Sequence, residues 1–296
     1  MEKEILSVLE KYTLHEPIEA CDIWSMRMPT PNSSVPTEHV THGYYVIQNA
    51  LDKMREYLTD DEIKENVEIL YMTRTLFALK YAKMKGSKVI NLSSLFMEYD
   101  NMLPDKGIAF EKELAKDTLM FAGVGNDGNE PINHFEGVAA SRDAWVGVGA
   151  VNSEDELRSY TSWGNCAVEF CAEDGDIDGK LGVSFSSPDL AGLSIGYRTK
   201  HGLLFGFKPK REQVYSVFVR NTLDILEEGF DERSGYGIVT IPKEKKWFVT
   251  EYDTITKEKF INDGYTKIET DKLIHSDLCD IKNITSWYDK EIHKAY

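Results

Sequence analysis

Cysteine is scarce in this chain of 296 residues, basic residues are outnumbered, and long apolar runs are missing. The four cysteines (Cys21, Cys166, Cys171 and Cys279) show no CxxC spacing, which argues against a zinc site and against a disulfide framework. Cys166 and Cys171 lie in an apolar run and are expected to be buried thiols. No stretch approaches the roughly 20 apolar residues of a membrane span, so no membrane partner is expected. Met1-Glu2-Lys3-Glu4 opens an amphipathic pattern, not an apolar signal region, and the expected location is cytoplasmic. Only 34 Lys and Arg stand against 50 Asp and Glu, a net charge of −16. Nucleic acid is therefore excluded as a partner, because phosphate contacts need clustered cations. Cationic peptides would suit such a surface.

The chain is 42% hydrophobic, enough for one large α/β domain with a substantial core. Residues 2–14 place Ile5, Leu6, Val8, Leu9 and Leu14 at helical spacing, and the N-terminal helix is expected within 1–16. Residues 18–24 read as a short strand ending near Asp22, and a proline-rich loop at 28–37 leads to His39-Val40-Thr41-His42-Gly43. A helix is predicted over 44–58. Residues 66–72 either extend a helix begun at the Thr59…Glu62 capping box or form a strand, and the strand is preferred. Helix 74–85 stops at Gly86, strand 88–93 follows, then helix 106–116, strand 118–123, strand 144–151 and strand 166–172. Beyond it come a helix from Ser184 to about Arg198, a hairpin-like segment at 202–207, a helix near 211–227 and a closing strand at 235–239.

Short apolar strands alternating with helices predict a three-layer α/β fold, a mostly parallel central sheet with helices on both faces. Such sheets carry their chemistry at the carboxyl ends of the strands, where Asp22, the loop after Ser93, and Asn126 all fall. From Lys243 the texture changes, and 244–296 read as a small C-terminal extension beside a main domain at 1–243.

The stretch around which these segments are arranged is Leu181-Gly182-Val183-Ser184-Phe185-Ser186-Ser187-Pro188. It sets a serine at a helix N-terminus, where unpaired N–H groups and the dipole favour a developing anion. A serine there is also an ordinary helix cap, with proline tolerated in the first turns. The neighbouring motifs weigh on the choice. GVSFSSP at 182–188 resembles the GTSMAxP nucleophile box of the subtilisin-like serine proteases (subtilases), and the run at 146–164 is similar to the stretch that precedes it. GSKVINLSS at 86–94 resembles the family's substrate-edge strand, FAGVGNDG at 121–128 its oxyanion turn, and SGYGIV at 234–239 its closing segment. The order along the chain is also the family's, from about residue 17 to 243.

The resemblance implies a subtilisin-like peptidase domain and a serine endopeptidase working through an acyl-enzyme. It makes Ser184 the nucleophile, His42 the general base, Asp22 the acid that orients the imidazole, and Asn126 an oxyanion donor. His39, three residues before His42, is the competing base. Ser93, Ser94 and Leu95 would pair with an extended peptide or protein substrate, and Gly123, Val124 and Gly125 would wall the pocket before the scissile bond. An esterase elbow does not fit, because Gly182-Val183-Ser184-Phe185-Ser186 lacks the second glycine.

Several positions depart from the family pattern. Asp22 is followed by Ile23-Trp24 where Ser/Thr-Gly is usual, and its link to His42 is short. Val183 replaces a threonine, while Leu95 and Phe96 stand where glycines let substrate approach. These changes keep open an alternative, a catalytically impaired relative acting as a peptide-binding or regulatory module. The residues ahead of Asp22 are too few for the family's inhibitory pro-domain, so none is expected. Neither a cofactor nor a metal is expected. Glu173–Gly179 begins like a calcium loop, but position 12 would be Phe185, and an acidic hairpin beside the site is preferred. Oligomeric state is not legible in the sequence.

Overall fold

The structure is a computed structural model that describes residues 20–23, 38–72, 76–94, 104–128, 139–164, 167–175 and 179–241. The expected helix within 1–16, the loop at 28–37, Leu95 and Phe96, and the extension at 244–296 lie outside the described residues. Among the described residues eight strands form one sheet: β1 (Ala20–Ile23), β2 (Ile69–Met72), β3 (Val89–Leu92), β4 (Leu119–Gly123), β5 (Val146–Val151), β6 (Phe170–Glu173), β7 (Thr222–Leu223) and β8 (Ile238–Val239). Their spatial order is β2-β1-β3-β4-β5-β6-β8-β7, and β7 is the antiparallel member. The helices among the described residues are α1 (Glu38–Arg55), α2 (Asp60–Asn66), α3 (Leu76–Lys85), α4 (Pro104–Leu114), α5 (Val183–Phe205) and α6 (Arg211–Arg220).

Burial on both faces explains why the strands read as continuous apolar runs. In β4, Leu119 and Phe121 join one core with Leu51 and Met54 of α1, Leu190 and Ile195 of α5, and Phe218 of α6. Met120 and Ala122 join the other, with Leu76 and Leu79 of α3, Leu114 of α4, and Trp145. The three layers are those expected.

β1 pairs with β2 on one side and β3 on the other, so the chain leaves β1 in one direction and later returns past it. In open α/β sheets such a reversal is where ligands bind, at the carboxyl ends of the flanking strands. Helix α5 is buried nearly throughout its length. It packs so closely on α1 that a Cβ on Gly192 would stand 2.3 Å from the Ala50 carbonyl oxygen.

Some sequence expectations need correction. Helix α1 starts at Glu38, so both His39 and His42 are helical and not in the loop before it. The Thr59 box is real, with Glu62 N–H on Thr59 Oγ1 and Thr59 N–H on Glu62 Oε2, but its helix ends at Asn66 and β2 follows. The strand preferred for this stretch is therefore the one formed, and the helix begun at Thr59 does not continue through it. The hairpin at 202–207 is absent, because α5 runs on to Phe205 and closes at Gly206 with φ 81°. The helix begun near 211 ends at Arg220, where the Asn221 amide donates to Val217 O at 2.7 Å and the chain turns into β7.

Candidate active site

The loop from β6 to α5 is built to present the start of that helix. Gly175 and Leu181 form an antiparallel bridge, consistent with the acidic hairpin. Before it, the buried Asp174 carboxylate accepts from Arg158 Nε at 2.8 Å, Arg158 Nη2 at 3.1 Å and the Tyr160 hydroxyl. Those donors occupy the carboxylate that would open a calcium loop; residues 176–178 lie outside the described set. Among the described residues no three His, Cys, Asp or Glu side chains gather as a metal site.

Gly182 ends the loop with φ 151°, a conformation suited to glycine, and its N–H reaches Asp174 O at 3.2 Å. Val183 then opens α5, its N–H donating to Asn126 Oδ1 at 3.0 Å. Ser184 is the second helical residue and is half-buried. The helix supplies no acceptor for its N–H in this first turn.

Asn126 follows β4 in a turn pinned from below. Ser162 N–H donates to Gly125 O at 3.0 Å, Gly128 N–H to Tyr160 O at 2.7 Å, and Asp127 N–H to Ser162 Oγ at 3.1 Å. The whole Asn126 amide lies against the start of α5, a Cβ on Gly182 standing 3.5 Å from its Oδ1 and 3.7 Å from its Nδ2. Gly123 backs onto Val183, a Cβ there standing 2.8 Å from Val183 Cγ2. Val124 and Gly125 are buried beside it.

His42 sits on α1, half-buried, its ring centroid 5.6 Å from that of Phe185 at an interplanar angle of 38°. The imidazole therefore lies against the residue that follows Ser184. Several contacts hold α1 in that place. Asn49 Nδ2 donates to Gly175 O at 2.9 Å and Phe185 O at 3.4 Å. Lys53 Nζ lies 3.5 Å from the buried Asp189 carboxylate. Burial pushes the Asp189 carboxyl well up, with the Lys53 ammonium opposing. Lys180 stands 4.7 Å over the Tyr45 ring.

Ser93 closes β3 with its side chain buried, and its hydroxyl donates to Ser184 O at 2.7 Å. Ser94 is half-buried next to it. Asp22 lies on β1 in register with Asn91 of β3 and Tyr71 of β2. His39 shares α1 with His42, and Leu95 is outside the described residues. The structure thus gathers His42, Ser93, Asn126 and Ser184 around the N-terminus of α5 and sets Asp22 on the strand beside β3. Asn49, Lys53, Asn91, Ser187 and Asp189 escaped the sequence reading. For Asn91 the one signal was a polar side chain inside an apolar run.

No family model and no curated protein matches the chain. Solved structures do. A lanthipeptide protease is 17% identical at a TM-score of 0.56, covering 75% of this chain and 85% of its own. The prenylagaramide maturation protease PagA is 19% identical at 0.56, covering 82% and 98%. The PatG macrocyclase in complex with peptide is 14% identical at 0.55, covering 82% and 95%. At these identities the likeness is one of fold, and the chain has a subtilisin-like α/β fold.

Proposed function

We propose that the protein is a serine peptidase acting on peptide substrates, with Ser184 as nucleophile, His42 as general base, Asp22 as the group orienting the imidazole, and Asn126 as oxyanion donor. Ser184 Oγ bonds to the scissile carbonyl carbon while His42 takes the hydroxyl proton. The carbonyl oxygen, now negative, is met by the Asn126 NH2 group and the Ser184 N–H. His42 returns the proton to the leaving amine as the C–N bond breaks, and water then releases the acyl group by the same exchange. Substrate lies along Ser93, Ser94 and Leu95, with Gly123, Val124 and Gly125 walling the pocket. No metal or cofactor takes part.

The observation that carries this reading is the Val183 N–H on Asn126 Oδ1 at 3.0 Å, which holds the Asn126 amide against the start of α5, one residue before Ser184. The peptide substrate is supported by the fold shared with a lanthipeptide protease, a prenylagaramide maturation protease and a macrocyclase in complex with peptide. The test incubates the full chain with a mixture of unstructured peptides of varied charge and reads new termini by mass spectrometry. Cleavage lost in Ser184→Ala is expected. Peptides retained on the folded protein without any cleavage would instead favour the binding module.

A further inference from the structure

Pro188 lies inside α5, four residues after Ser184. A proline has no N–H, so the carbonyl of Ser184 loses the donor that the helix ladder would have supplied. A buried carbonyl left in that state is costly, and such groups find another partner. Here the partner is Ser93, whose hydroxyl donates to Ser184 O at 2.7 Å. Ser93 Oγ in turn accepts from Asn91 Nδ2 at 2.9 Å, and Asn91 Oδ1 accepts from Ser187 Oγ at 2.6 Å. All three side chains are almost wholly buried, Asn91 at 4%, Ser93 at 2% and Ser187 at 0% exposure. The two bonds among these side chains are buried, and the bond to the half-buried Ser184 sits at their edge.

We propose that Ser93, held by Asn91 and through it by Ser187, is a positioning residue that sets the Ser184 peptide unit against the end of β3 in place of the helix bond Pro188 cannot make. The inference rests on the nucleophile reading above. Its consequence is geometric. The carbonyl that Ser93 holds belongs to the residue whose Oγ attacks and whose N–H faces the oxyanion. Ser93 is also the first residue of the segment against which substrate would lie. One hydroxyl thereby fixes the spacing between substrate strand and nucleophile, which bears on the rate of attack more than on binding.

The test measures fluorophosphonate labelling rates and peptide kcat and KM on the full chain. Ser93→Ala is expected to lower the labelling rate and kcat by about tenfold, one hydrogen bond's worth, with KM changed by less than about twofold. Ser93→Thr, which keeps the hydroxyl, is expected to retain most of the rate. The decisive variant is Ser93→Ala/Pro188→Ala, in which residue 188 regains an N–H for the Ser184 carbonyl. Recovery of the rate supports the proposal, because refilling a merely structural gap at Ser93 would not come from that change. A Ser93→Ala rate equal to wild type, or a double variant no faster than Ser93→Ala, overturns it. Should Ser93→Ala not fold, Ser187→Ala serves, with a fall of about threefold expected and an unchanged rate counting against the proposal. A folded wild type that does not label at all overturns the nucleophile reading itself.

Discussion

Replacing Gly192 by alanine would test whether the contact between α1 and α5 sets the spacing of His42 and Ser184. A Cβ at this position would stand 2.3 Å from the Ala50 carbonyl oxygen and 2.9 Å from its C and Cα, all of them backbone atoms that cannot rotate aside. Ordinary contact therefore requires the helices to separate by about 1 Å, in a core where overpacking costs about 1–3 kcal/mol. Alanine returns up to about 1 kcal/mol through helix propensity, which leaves a net loss of up to about 2 kcal/mol. Since α1 carries His42 and α5 carries Ser184, the same displacement is expected to slow reaction by about 10²-fold. Gly202→Ala is the control, because its Cβ would meet the flexible Lys208 side chain, at 2.9 Å from Cγ. Urea unfolding and the fluorophosphonate labelling rate, measured on both variants, check the expectation. Gly192→Ala with the wild-type midpoint and the wild-type rate would refute the reasoning.

Two further outcomes follow from buried polar groups. Arg142 Nη1 donates to Glu111 Oε1 at 2.9 Å and Oε2 at 2.8 Å, with Glu111 fully buried and also accepting from Trp145 Nε1. Arg142→Met strands that carboxylate and is expected to cost about 3–5 kcal/mol in urea unfolding, most of it regained in Glu111→Gln/Arg142→Met. A double variant no more stable than the single one would contradict this. Burial lowers the His201 pKa below its ordinary value, despite the bond between Nδ1 and Phe207 O at 3.0 Å. A depressed folded value means this group's stability is full above about pH 6.5 and is lost as pH falls toward the folded pKa, with a slope no steeper than about 1.4 kcal/mol per pH unit. His201→Gln is expected to flatten the fall in urea midpoint between neutral and mildly acidic buffer, and an unchanged fall would assign it to other groups.

The fold was legible because its signal is coarse. Runs such as Val89-Ile90-Asn91-Leu92 and Leu119–Gly123 are buried on both faces, and only a parallel sheet covered twice demands that. Glycine misled the reading near 202–207. Gly202 and Gly206 look like turn punctuation, yet Gly202 sits inside α5 where Lys208 packs on it, and only Gly206 ends the helix. The early end of α6 rests on pairing: Thr240 N–H reaches Asn221 O at 2.7 Å, a partner 19 residues away that no local pattern displays. At the site, Ser184 and Asn126 could be read because each sits in a short motif, whereas Asn91 and Asp189 could not. A lone polar residue in an apolar run shows that a partner must exist, and only the fold supplies its name: Ser93 and Ser187 for one, Lys53 for the other.

The central claim is that the Ser184 hydroxyl is an activated nucleophile. Intact-mass measurement of the full chain after exposure to a fluorophosphonate, followed by peptide mapping, tests it most directly. A single adduct on Ser184 is expected, absent in Ser184→Ala and formed far more slowly in His42→Ala. Folded protein whose mass stays unchanged, or an adduct that maps to another serine, would contradict it.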